Sequence, residues 1–201
     1  MGLVGDVEAF EHAVSQGLLR GRRTVMAKKD IFALENLVES KALFSPCKRY
    51  RYTLTRIWDA DKPPILFIGL NPSTADEKTN DPTIRRCMRY AYDWGGGGIL
   101  MMNLFAFRAT KPAEMKRAVD PIGFPANNEF LLSYAQATET QGGTVVAAWG
   151  AQGAYMGRGY HVQKMLKEVV DLRCLKILAG GEPGHPLYLK SDLRLIPYNQ
   201  V

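Results

Sequence analysis

Four short apolar runs punctuate the chain, at Ile65–Ile68, Ile99–Met102, Val145–Ala148 and Leu175–Ala179. They are too short for helices and lack the apolar–polar alternation of a half-exposed strand, so they predict strands buried on both faces. Helical patterns separate them. Asp81-Pro82 supplies a cap and a first-turn proline, Ile84, Cys87, Met88 and Ala91 form one stripe, and Gly95 lies past the end. Asn127 or Asn128 is placed to cap a helix carrying Phe130, Leu131 and Tyr134, and Val162, Met165, Leu166 and Val169 make a third stripe. This alternation predicts a single three-layer α/β/α domain over residues 46–201, with a mostly parallel central sheet.

Two flanking segments read differently. Residues 1–45 read as an N-terminal helical extension, with Val7, Phe10, Val14 and Leu18 at helical spacing and Asp30 capping a turn with Ile31, Leu34 and Val38. Arg49 to Trp58 alternates and is rich in β-formers, which predicts an edge strand.

In parallel sheets ligands bind beyond the carboxyl ends of the strands, so the residues following each run are the candidate site. They are Gly69-Leu70-Asn71-Pro72-Ser73, then Asn103-Leu104-Phe105, then Trp149-Gly150, then Glu182-Pro183-Gly184-His185-Pro186-Leu187-Tyr188. Each also has a purely structural reading. Asn71-Pro72-Ser73 makes a good turn, Asn103 can satisfy a loop backbone, and a single histidine is more often structural than catalytic.

Composition narrows the partners. The 201 residues carry a formal net charge of +6, which favours polyanionic partners, DNA among them. Lys48, Arg49, Arg51 and Arg56 interleave with aromatics, and Arg85, Arg86 and Arg89 share one predicted helix. Each group is either a solvated face or a strip that follows a phosphate backbone. The three cysteines are far apart and form no Cys-x-x-Cys pair, so neither a metal site nor a cofactor is expected. No apolar stretch is long enough to span a membrane and no secretory leader is legible, so a cytoplasmic monomer is expected.

Taken together, the strand-end motifs resemble the uracil-DNA glycosylase superfamily over about residues 63–190. Gly69-Leu70-Asn71-Pro72 resembles its opening turn, Leu100-Met101-Met102-Asn103 the strand whose asparagine reads the base, Ala148-Trp149-Gly150 its third strand end, and His185-Pro186-Leu187-Tyr188 a shortened last motif. Arg51-Tyr52-Thr53-Leu54-Thr55-Arg56, Leu70 to Ser73, Asp81-Pro82-Thr83, Asn103-Leu104-Phe105, Trp149-Gly150 and Gly184 to Tyr188 are together similar to an uncharacterised bacterial and phage family, the domain of unknown function 1643.

The resemblance implies a uracil-DNA glycosylase-like fold and cleavage of the N-glycosidic bond of a damaged or modified base in DNA. His185 would then stabilise the departing base, Asn71 would position water, and Asp81 would be the stronger acceptor. Gly69, Leu70, Pro72, Asn103 and Phe105 would line the base, with Phe105 stacking on it. Ser73, Arg51, Arg85, Arg108, Gly184, Leu187 and Tyr188 would face DNA. The sequence departs from the superfamily at Asn71, which replaces the aspartate of the most efficient glycosylases and cannot act as a general base. An enzyme acting on a free nucleotide or nucleoside, and a non-catalytic reader of modified DNA, stand as alternatives.

Overall fold

A computed structural model describes residues 33–199. Three of the four expected runs are strands: β3 is Pro64–Gly69, β4 Gly98–Asn103 and β5 Thr144–Ala147, preceded by β1 Glu39–Phe44 and β2 Arg51–Ile57. Two short strands, β6 Arg173–Cys174 and β7 Ile196–Pro197, complete one seven-stranded sheet in the order β1-β2-β4-β3-β5-β6-β7. The helices are α1 Pro82–Asp93, α2 Pro112–Lys116, α3 Ala126–Thr140 and α4 Arg158–Leu166.

Alternate residues of the central strands point into two separate cores. Ile65, Phe67, Ile99 and Met101 pack with Ile84, Cys87, Met88 and Ala91 of α1. On the other face Leu66, Ile68, Leu100 and Met102 pack with Phe130, Leu131 and Tyr134 of α3 and Val162 and Leu166 of α4. Burial on both faces explains why these strands read as uninterrupted apolar runs. Helix α1 begins as its sequence requires: Asp81 Oδ1 accepts from the Ile84 amide at 2.9 Å, and Pro82 occupies the first turn.

Several expectations are corrected. The sheet is mixed rather than mostly parallel. Only β4, β3, β5 and β6 run parallel, while β1–β2, β2–β4 and β6–β7 pair antiparallel. The short turn between β1 and β2 permits no other pairing, because parallel neighbours need a long crossover. Strand β2 is interior, covered on its open side by β1, and not an edge. That covering strand lies inside the segment expected to be a helical extension. Leu34–Asn36 forms one 3-10 turn and Val38 leads into β1, while the stripe from Val7 to Leu18 and the cap at Asp30 fall outside the described residues. The run at 175–179 is not a strand either. The β6 ladder closes at Cys174, and Ile177 makes only an isolated bridge to Pro183. Among the described residues no helix is long and apolar enough to cross a membrane.

Candidate functional site

Because β3, β4, β5 and β6 are parallel, their carboxyl ends share one rim, and the chain reinforces it beyond the strands. The Leu104 amide donates to Gly69 O at 2.9 Å, Phe105 to Leu70 O at 3.0 Å, and Ala109 to Pro72 O at 2.9 Å. The segments after β3 and β4 are thus zipped together. Gly69 and Asn103 end as direct partners in register. A Cβ on Gly69 would lie 2.9 Å from Asn103 Nδ2 and 2.5 Å from Met101 Cε, so a larger residue would fit beside that amide only if Met101 moved aside.

Asn103 is buried, and its Oδ1 accepts from Arg51 Nη2 at 3.2 Å. The backbone around it is fixed from the opposite face. The fully buried Asn127 donates from Nδ2 to both Asn103 O and Leu104 O at 3.1 Å, and Arg158 Nε donates to Leu104 O at 3.0 Å. Neither role was legible in the sequence. The sequence offers Asn127 or Asn128 as a helix cap, but α3 begins at Ala126 behind Pro125 with no side-chain cap, and Asn128 instead accepts from Arg158 at 2.5 Å.

Asn71 donates from Nδ2 to Ala109 O at 2.8 Å and to Pro72 O at 3.1 Å. Its amino group is therefore committed to the loop, and its Oδ1 is the end turned away from those carbonyls. His185 reaches the same rim through Gly150, which adopts φ 72°, and where a Cβ would lie 3.1 Å from His185 Cβ. The imidazole Nδ1 accepts from the Leu187 amide at 3.3 Å. In the neutral ring the proton then sits on Nε2 and is available as a donor. Burial holds the His185 pKa below the ordinary imidazole value, with the charge of Asp81 opposing. The same Asp81 charge is the largest favourable one acting on Arg51, whose guanidinium burial pushes down to about 10. Asp81 thus caps α1 while its charge favours the protonated forms of both Arg51 and His185.

Some expected roles do not fit these positions. Phe105 is fully buried in the α3/α4-side core with its ring 5.7 Å from that of Tyr155, so it does not line a base pocket. Arg51 is not a surface DNA contact. It is only 2 % exposed and is bonded to Asn103 and, through Nη1, to Ala75 O at 2.9 Å. Arg108 leans over the Phe44 ring at 4.7 Å and donates to Lys48 O at 3.2 Å, which ties it to the β1–β2 turn. Arg85, Leu187 and Tyr188 are exposed and Ser73 is partly exposed, whereas Leu70 and Pro72 are buried and Gly184 is packed beneath Leu189.

Glu182, given no role from the sequence, accepts from Trp149 Nε1 at 2.5 Å, and burial raises its pKa. It anchors the β5 end on which Gly150 sits. Among the described residues no group of three His, Cys, Asp or Glu side chains is placed to hold a metal.

No curated protein matches the chain. Residues 51–187, which include Gly69, Asn71, Asp81, Asn103, Gly150 and His185, match the family described as "Protein of unknown function (DUF1643)". The chain belongs to that family.

Proposed function

We propose that the protein is a DNA glycosylase-like enzyme, with a uracil-DNA glycosylase-like form of the α/β fold, that hydrolyses the N-glycosidic bond of a damaged or modified base. What supports this reading is that Asn103 ends β4 beside Gly69, that Asn71 follows on the adjoining turn, and that His185 packs against Gly150 after β5 with its Nδ1 engaged by the Leu187 amide, which leaves Nε2 to donate. Hydrolysis breaks the bond between the sugar carbon and the base nitrogen, and the electron pair leaves with the base. A water oxygen bonds to the sugar carbon, and one of the water's protons ends on the departed base. His185 Nε2–H stabilises the negative charge as it develops, an interaction worth more in the transition state than in the ground state. Asn71 Oδ1 orients the water, and Asp81 is the stronger acceptor for its proton.

A second reading, an enzyme acting on a free nucleotide, is favoured by the burial of Arg51 and Arg56, which removes two cations from the expected backbone-following strip. Oligonucleotides carrying uracil, mismatched thymine, hypoxanthine or hypermodified pyrimidines, scored for abasic sites by alkaline cleavage, test the primary reading. His185→Ala is expected to lower single-turnover base release on the order of 100- to 1000-fold while leaving affinity nearly intact. Binding of modified DNA with no base release under any condition would replace the enzyme by a reader. Base release from nucleosides or nucleotides alone would establish the second reading.

A further inference from the structure

Two arginines of β2 are buried, and they are used differently. Arg56 engages every nitrogen of its guanidinium, three of its four bonds holding the loop before α1: Nε donates to Asn80 Oδ1 at 2.8 Å and Nη2 to Asp76 O and Thr79 O, while Nη1 donates to Thr55 O of its own strand at 2.9 Å. Among the described residues Arg51 makes only two such bonds, one of them to the side chain of a rim residue, and its buried Nε has no acceptor. No carboxylate lies within ion-pairing distance of Arg51 among the described residues. An arginine placed there only to secure the fold would be expected to be satisfied as Arg56 is.

We propose that Arg51 is a positioning residue that holds the Asn103 amide with its oxygen inward and its N–H edge beside Gly69 and the flexible end of Met101, so that a base displacing that end is selected for an edge bearing a carbonyl oxygen over one bearing an amino group. A guanidinium only donates, so the Asn103 atom facing Arg51 must be the oxygen, and the usual ambiguity between amide oxygen and nitrogen is removed. Nδ2 is then the atom left beside Gly69, and it has no acceptor among the described residues. Nη1, anchored on Ala75 O, keeps the guanidinium from turning away. Donation into the amide oxygen also polarises the amide and strengthens its N–H groups as donors. An amino group brought to that edge would set donor against donor and leave both unsatisfied. The selection between bases rests on the nucleobase reading above, whereas the amide orientation does not.

The test uses oligonucleotides with a single non-cleavable 2′-fluoro nucleotide bearing either uracil or cytosine, with a hypoxanthine and adenine pair as a second comparison. Wild-type protein should bind the carbonyl member at least about 10-fold tighter than the amino member. Arg51→Met should bring the two within about 2-fold, because the freed amide can turn over, and Arg51→Lys, which keeps charge and donors, should restore the preference. A merely structural arginine would change stability without moving this ratio, so a folded Arg51→Met protein that keeps the wild-type preference overturns the proposal.

NMR decides the orientation independently, through a nuclear Overhauser effect from the Asn103 side-chain amide protons to Gly69 Hα. Its presence in wild type and loss in Arg51→Met support the proposal, and its absence in wild type overturns it. That wild-type measurement stands even if Arg51→Met does not fold. If neither member of either pair binds wild-type protein while the Overhauser effect is present, the nucleobase reading fails and the positioning role stands.

Discussion

Strand β2 and helix α1 each carry a tight group of arginines, and the two groups end in different surroundings. On β2, Arg51 and Arg56 are enclosed by the loop that precedes α1 and bonded to its carbonyls and amides. On α1, Arg85 faces solvent, Arg86 donates to Pro186 O at 3.3 Å and to Leu189 O, and Arg89 pairs with Asp93 at 2.8 Å. The same residue type thus acts as an internal brace in one region and as a tether or a solvated charge in the other. Positive charge counted along a sequence therefore overstates the positive surface. A strand with neighbours on both sides and a loop across one face can enclose arginines provided carbonyl oxygens meet them, since a buried charge without partners is prohibitively costly.

The sharpest way to break this contrast is Arg56→Met. It strips donors from Asn80 Oδ1, Thr55 O, Asp76 O and Thr79 O, and should cost about 3–5 kcal/mol in urea unfolding. A loss comparable to that of an exposed arginine would show that the brace is not needed. Arg86→Ala should cost about 1–2 kcal/mol, because the 186–189 turn loses its tether.

A smaller effect arises at His185, which immediately precedes the turn tethered by Arg86. The folded pKa of His185 lies below its ordinary value of 6.5, so between the two values the unfolded chain binds more protons and stability rises with pH. Stability should therefore fall as pH drops below about 6.5, and His185→Gln should flatten that dependence in thermal melts at a series of pH values. The least effect on stability is expected for Arg85→Ala, within about 0.5 kcal/mol. If Arg85 meets a phosphate, the same variant should reduce the log–log salt slope of duplex binding by about 0.9. An unchanged slope would assign Arg85 to the solvated face alone.

What could be read in advance follows from how local each cause is. Strands β3, β4 and β5 were legible because burial on both faces writes itself into consecutive residues, and α1 because Asp81, Pro82 and Gly95 act within one turn of its ends. Strand β1 was not, since its sequence Glu-Ser-Lys-Ala-Leu-Phe is only half-buried and takes its ladder from β2. Strands β6 and β7 depend on distant bonds, among them Tyr198 N to Leu172 O at 2.8 Å and Gln163 Nε2 to Tyr198 O at 2.9 Å. For the candidate site, the strand-end rule picked out Gly69, Asn71 and Asn103 at and after the ends of β3 and β4, whereas His185 was picked out behind a run that is not a strand. The rule could not assign Asn127 and Arg158, whose bonds to Leu104 O span 23 and 54 residues. Phe105 was misread because an aromatic beside a site residue looks the same in sequence whether it faces a ligand or the core.

The missing side chain at Gly69 has an evolutionary consequence. One methyl group there would press on Asn103 Nδ2 and on the flexible end of Met101, which can move aside, so the fold should tolerate it while the amide is covered. If Asn103 reads a base as proposed, a duplicated gene could lose recognition in a single mutational step without losing its architecture, and could be freed for another task. Among related chains, the residue at this position would serve as a marker separating lineages that still read a ligand from those that have only inherited the scaffold.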